Sequence, residues 1–216
     1  SEIEAAPAAE SKKTSHATSE TPMPKTDEEV RAQRAADAAP EKNAQEAQDA
    51  HVPLVVISSR TGNTMILGHA ITDALPGAVL MRTSEVPEDL ERFNPVLLGF
   101  WCDRGDAPED MRELAKRLHG KRIACFATMG GDPDKDAWMH RASESLVAAG
   151  SDNELVDIFL CRGRIDPEVF ERMTTMLGGN VSPERESRRR ESETHPDRTD
   201  LARGAEFFRS VFGMNF

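Results

Sequence analysis

Ser59-Arg60-Thr61-Gly62-Asn63-Thr64 gathers hydroxyl, amide and guanidinium donors around one glycine, directly behind the apolar run Val52-Pro53-Leu54-Val55-Val56-Ile57. An apolar strand that runs through a short hydroxyl-rich turn into an amphipathic helix builds a phosphate site. The strand carries the turn to the edge of a sheet, and the first N–H groups of the helix point unpaired at whatever lies above them. Ser59, Thr61 and Thr64 add hydroxyl donors and Asn63 an amide donor, while Gly62 lets the backbone approach closely. Arg60 either makes a charge-assisted contact to a dianion or projects into solvent. No lysine follows the glycine, which excludes the nucleoside-triphosphate loop G-x-x-x-x-G-K-[ST]. The dinucleotide fingerprint G-x-G-x-x-G is absent too. What remains is a cradle for one terminal phosphate.

The elements that must position this loop alternate short apolar runs with amphipathic helices from His51 onward, a pattern of parallel α/β architecture. Strands are expected at Val52–Ile57, Ala78–Met81, Val96–Phe100, Arg122–Ala127 and Leu155–Cys161. Helices are expected at 63–75, 108–118 and 135–149, and a further one opens at Asp166-Pro167 with Asp as N-cap and Pro in the first turn. The rhythm gives a doubly wound five-stranded parallel sheet, order 2-1-3-4-5, with helices on both faces. In such a sheet a ligand sits at the carboxyl ends of strands one and three. Three turns converge there: the phosphate loop; Phe100-Trp101-Cys102-Asp103-Arg104-Gly105; and Thr128-Met129-Gly130-Gly131-Asp132.

The string Ser59 to Thr64 is similar to the S/T-x-T-G-N-T loop of the flavodoxin family, placed after the first strand as in that family. The resemblance runs from about Val52 to near Arg162 and implies a fold that binds flavin mononucleotide (FMN). All three turns then become cofactor-binding. Trp101 is the natural partner for the flavin ring, an offset stack adding ~0.5–1.5 kcal/mol beyond the area it buries; the alternative is a tryptophan that caps the sheet edge. The chain has no tyrosine. Met129, backbone or nothing therefore covers the second flavin face, where many flavodoxins place a tyrosine. Gly130 and Gly131 let N–H groups reach the pyrimidine edge, with Thr128 and Asp132 nearby, unless the pair is simply a turn before a helix. A narrower resemblance rests on Gly99 to Gly105, Phe159 to Pro167 and His195-Pro196-Asp197. These stretches look like the flavodoxin-like subfamily that accompanies bilirubin reductase in anaerobic bacteria. It implies electron supply for reduction of bilirubin to urobilinogen.

Composition sets the limits. Residues 1–50 are rich in Ala, Glu, Pro and Ser and hold no aromatic residue, so they are expected to be a disordered arm. Residues 51–178 are read as the FMN-binding domain, and 179–216 as a charged helical extension whose last helix carries Leu201, Ala205, Phe208 and Phe212 on one face. The net charge of −11 disfavours nucleic acid and anionic membrane and favours a redox partner with a basic docking face. No signal peptide or bilayer-length apolar segment is visible, and three cysteines without metal-type spacing suit a cytoplasmic setting. Cys102 is read as a small soft side chain and His195 as part of a turn. Asp103, Asp106, Glu109 and Asp110 after the third strand and Asp132, Asp134 and Asp136 after the fourth either form an acidic rim around the flavin or solvate two helix starts. No catalytic constellation and no metal cluster stands out, so an electron carrier is the simplest reading. The alternatives are a flavin-dependent oxidoreductase of the same fold acting on a quinone or porphyrinogen, and a flavin-free scaffold.

Overall fold

The structure, a computed structural model, describes residues 51–213, so the arm expected over residues 1–50 lies outside it. Strand β1 is Val52–Ser58, and six of its seven residues are buried. A run apolar at every position, not every second one, belongs to a strand covered on both faces. Parallel partners flank it: β2 (Val79–Arg82) on one side and β3 (Phe93–Trp101) on the other, followed outward by β4 (Arg122–Met129) and β5 (Glu154–Arg162). The observed order is β2-β1-β3-β4-β5. Each strand begins or ends within three residues of its sequence expectation, β3 starting earliest at Phe93.

Strand alternation sorts the core into two layers. Leu54, Val56, Val96 and Leu98 face one side and meet Met111 and Leu114 of α2 (Glu109–Ala115), with Met139 and Leu146 of α3 (Ala137–Ala149). Val55, Ile57, Leu97 and Phe126 face the other side. They meet Leu67 and Ile71 of α1 (Asn63–Ala74) and Phe208 and Phe212 of α6 (Arg198–Phe212). Both phenylalanines are 0% exposed. Phe208 sets its ring edge-on to Phe126, centroids 5.9 Å apart. Burying two such rings contributes roughly 1.5–3 kcal/mol each.

The sequence division at 178/179 assigns α6 to an extension, yet α6 closes the second core layer. The chain instead leaves the domain after β5, forms α4 (Pro167–Met176) and α5 (Pro183–Ser192), and returns at α6. Gly178 and Gly179 look like a boundary, but their left-handed φ values of +88° and +81° only terminate α4. The apolar spacing of α6 is the stronger signal, because it is what the sheet buries.

Candidate cofactor site

Local geometry shapes the phosphate loop. Gly62 holds φ at +96°, and a Cβ built there would meet nothing within 4 Å. Its N–H donates to the Ser59 hydroxyl at 3.2 Å, which fixes the turn. Helix α1 then opens on Gly62 without a side-chain cap. Asp136, Asp166, Ser182 and Asp197 cap α3, α4, α5 and α6 with their side chains, whereas α2 opens on Pro108, which has no side chain able to cap it. The uncapped first turn of α1, ringed by hydroxyls at the edge of the sheet, is a donor set that fits a phosphate.

Two contacts lock this loop to distant segments. Thr64, fully buried, shares a hydrogen bond of 2.8 Å with the Thr128 hydroxyl at the end of β4. The Asn63 amide donates to the Arg164 carbonyl at 3.0 Å and to the Thr61 hydroxyl at 3.3 Å. Thr128 and Asn63 are thereby partly structural, and loop one is braced by loop three and by the chain leaving β5.

In the second turn Trp101 is half-buried at the end of β3, in register with Thr128. The Arg60 guanidinium lies over its ring, 5.5 Å from the centroid. That contact ties the phosphate loop, through Arg60, to the expected ring partner. Asp103 and Asp106 exchange backbone hydrogen bonds of 2.9 and 3.0 Å around Arg104 (φ +54°) and Gly105 (φ +86°). Two positive φ values in a two-residue loop are the signature of a tight type I′ turn. Burial pushes the Cys102 thiol above its ordinary value; the Gly105 backbone opposes this, and Asp136, Asp103 and Asp106 reinforce it. A thiol held neutral in this way does not suit a nucleophile. Phe100, 0% exposed, points into the first core layer and offers the site only backbone.

Met129, at 4% exposed, also belongs to that core layer and does not present its side chain to the site. Gly130 packs against Ile165: a Cβ there would sit 2.5 Å from Ile165 Cγ1. The Gly163 N–H donates to the Met129 carbonyl at 2.8 Å, so residues 163–165 cross over the third turn. Asp132 accepts from the Asp134 N–H at 3.2 Å and pairs with Lys135 at 3.2 Å. The lysine hydrogen bond, seconded by that N–H, holds its carboxyl below the usual value. Gly131 and Asp132 open onto a groove of about 550 Å³, lined also by Asp136, Trp138, Arg162 and Arg188.

The structure thus converges Ser59, Thr61, Gly62, Asn63, Thr64, Trp101, Thr128 and Gly131 on one sheet edge and sends the Phe100 and Met129 side chains into the core. Sequence reasoning counted Asp110 only among the carboxylates of the second turn and Arg162 and Ile165 only within a family motif, without a structural role, and it passed over Trp138. Asp110 accepts from the Ser58 hydroxyl at 2.9 Å and from the Thr83 hydroxyl at 2.7 Å, tying β1 to α2. Arg162 pairs with Glu191 of α5 at 3.0 Å and so anchors the excursion. Only Trp138, an aromatic amid charges at a helix start, carried a readable signal. His195 engages the Asp200 carboxylate within a reciprocal cap, in which Asp197 and Asp200 each accept the other's N–H at 2.9 Å. Its neighbouring carboxylates are therefore occupied in starting α6.

The sequence model of the flavodoxin domain family matches residues 54–209. The chain belongs to the flavodoxin family. Two relatives, each called flavodoxin-like domain-containing protein BilS, are 29% identical over 170 residues. The one from Clostridioides difficile (strain CD3) aligns with 73% of this chain and 94% of its own length. The one from Clostridium symbiosum (strain WAL-14163) aligns with 68% and 89%. Among solved structures, oxidised flavodoxin 2 from Bacillus cereus is similar at 17% identity and a TM-score of 0.48, over 77% of this chain and 100% of that one. The flavoprotein in complex with FMN from Lactobacillus acidophilus NCFM is similar at 13% identity and a TM-score of 0.43, over 51% and 93%. Family membership supports FMN as the cofactor, because flavodoxin-like folds hold it where β1 and β3 diverge. No helix among the described residues is long and apolar enough to cross a membrane.

Proposed function

We propose that this chain binds FMN at the β1/β3 edge and carries electrons to a partner reductase that docks through a basic face. The observation that carries this reading is the uncapped, hydroxyl-ringed start of α1 at Gly62. Bound FMN supplies the redox chemistry, accepting electrons and passing them on. The chain's own residues bind and orient. Ser59, Thr61 and the first N–H groups of α1 hold the phosphate, Thr64 and Thr128 brace that loop, and Trp101 offers a ring face. Ile165 closes over Gly130 and limits access from the excursion side. The relatives' name and the motifs around Trp101 and Arg162 favour a bilirubin reductase as the partner. Three free thiols suit a reducing, cytoplasmic setting.

The test is direct. Purified protein should be yellow with an FMN-like spectrum, and apoprotein should bind FMN. The chemically reduced protein, mixed with a purified bilirubin reductase and bilirubin, should then bleach the pigment. A colourless protein with no FMN affinity would leave only the scaffold reading. The groove at Gly131 and Trp138 favours a second reading, an oxidoreductase acting on a quinone or porphyrinogen. That reading requires multiple turnovers with a small acceptor and no partner protein.

A further inference from the structure

Helix α4 is ten residues long and buries none of them. Its C-terminal turn and the residues after it expose Met173, Met176, Leu177 and Val181, with Met176 84% and Leu177 64% exposed. Among the described residues only Ile66 and Trp138 are other large apolar side chains this open. A helix this short is marginal by itself in water. Here it is held by the Asp166 cap, which accepts from Glu168 and Val169 at 2.9 and 3.1 Å. Its other hold is Phe170, whose ring lies under Arg185 and Arg189 of α5 at 5.4 and 5.8 Å. Helix α5, PERESRRRES, has no apolar side chain beyond its proline to cover the rest. Met173, Met176 and Leu177, three and four residues apart, share one side of the helix end, and apolar side chains left open together in this way mark an interaction site.

We propose that Met173, Met176, Leu177 and Val181 form the docking surface for the protein electron acceptor, which meets them with an apolar pocket bordered by Lys and Arg. This rests on the electron-carrier reading above. Three observations select that occupant. The excursion springs from the cofactor site itself, through Arg164 on Asn63 and Ile165 on Gly130, so a partner seated on α4 is continuous with it. Over residues 166–193, which hold α4, its cap and α5, seven carboxylates stand against five arginines, which suits a basic border. The net charge of −11 also opposes a second copy of the same chain. Finally, a few side chains suffice for weak redox encounters, which bury less than about 1,200 Å² in total, and methionine adapts to surfaces that must bind and release.

The test uses the full-length FMN-loaded protein and its Met173→Ser/Met176→Ser/Leu177→Ser variant, which alters no buried residue. Flavin content, melting temperature and the rate of ferricyanide reduction should match wild type. The second-order rate of electron transfer to a purified bilirubin reductase should fall tenfold or more, and so should that to equine cytochrome c, a basic haem protein used as a second acceptor. A wild type that reduces neither protein overturns the carrier reading and the docking surface with it. A wild type that reduces them, with a variant that does so equally fast, overturns the docking surface alone. Sedimentation showing a wild-type dimer that the variant dissociates assigns the patch to a second copy and also overturns it. So does a triple variant that is slow as the full-length chain but as fast as wild type once residues 1–50 are removed from both.

Discussion

Gly62 concentrates the case for a phosphate site in one backbone angle. With open space around its missing Cβ, Gly62→Ala should cost only the left-handed conformation, about 1–2 kcal/mol of stability by urea unfolding. The turn it distorts carries converging donors worth ~1.5–3 kcal/mol each to a charged ligand, against ~0.5–1.5 kcal/mol for one stacked ring. FMN affinity should therefore fall further in Gly62→Ala or Thr61→Ala than in Trp101→Ala, and riboflavin, which lacks the phosphate, should bind far more weakly than FMN. Equal binding of the two ligands by apoprotein would sink this ordering. The buried thiols make a different forecast. Burial raises Cys125 and Cys161 from 9.0 to about 12, so the folded state keeps protons that the unfolded state sheds. Their contribution is complete below pH 9 and is lost as pH rises from 9 towards 12, roughly 1.4 kcal/mol per thiol by pH 10. The stability gap between wild type and Cys161→Ala should narrow by about that much from pH 8 to pH 10. Lys121, lowered by burial, acts in the opposite direction but equally in both proteins, so it cancels. A gap independent of pH would show that Cys161 is not shielded. The phosphate loop was legible because its donors are contiguous. The inward aim of Phe100 and Met129 was not, because a strand buried on both faces has no polar alternation to reveal which side a residue takes.

At the scale of elements, the sheet and its helices could be read from periodicity and capping residues, since each is a local pattern. The excursion could not, because what positions it is long-range: Gly130 accommodates Ile165, and Arg162 reaches Glu191. The glycine pair at 178–179 is a strong local stop that says nothing about where the chain goes next. Gly130 makes the long-range contact measurable. A methyl group there would lie 2.5 Å from Ile165 Cγ1 and 2.9 Å from its Cδ1, so the segment leaving β5 must shift. Gly130→Ala should destabilise the protein by ~1–3 kcal/mol, the usual cost of overpacking. Ile165→Ala should cost less and should restore most of the loss when combined with it, a coupling that distant sites do not show. Additive effects in the double variant, followed by thermal or urea unfolding, would mean that Ile165 does not close over the third turn.

Charge is the property of the whole molecule that bears on partner choice, and the structure tempers it. Of the rim carboxylates Asp103, Asp106, Asp132 and Asp134, three have local work: Asp103 lies 3.4 Å from Arg104, Asp106 3.1 Å from Arg112 and Asp132 3.2 Å from Lys135. Asp106 and Asp132 also accept backbone N–H groups, from Ala107 at 2.7 Å and Asp134 at 3.2 Å. Exposed pairs of this kind contribute little to stability and only partly cancel the field beyond them. The turns and the field can be separated by substituting Asn, which keeps the accepting oxygen and removes the charge. Changing Asp103, Asp106, Asp132 and Asp134 to Asn takes the net charge from −11 to −7 and should leave melting temperature and oxidised flavin absorbance nearly unchanged. At physiological ionic strength a charge acts over ~8 Å, so these four matter only if they border the cofactor edge and the docking surface. Rim charges act mainly on association rate and its salt dependence. The variant should transfer electrons to a basic acceptor more slowly at low salt, with a flatter salt dependence. Its flavin potential should rise, because the more negative reduced cofactor loses repulsive neighbours. Stopped-flow transfer across a salt series, with potentiometry on the same proteins, reads both. A normal melting temperature with an unchanged salt slope and an unchanged potential would reduce these carboxylates to caps on two turns, and the basic face of the partner would lose its physical reason.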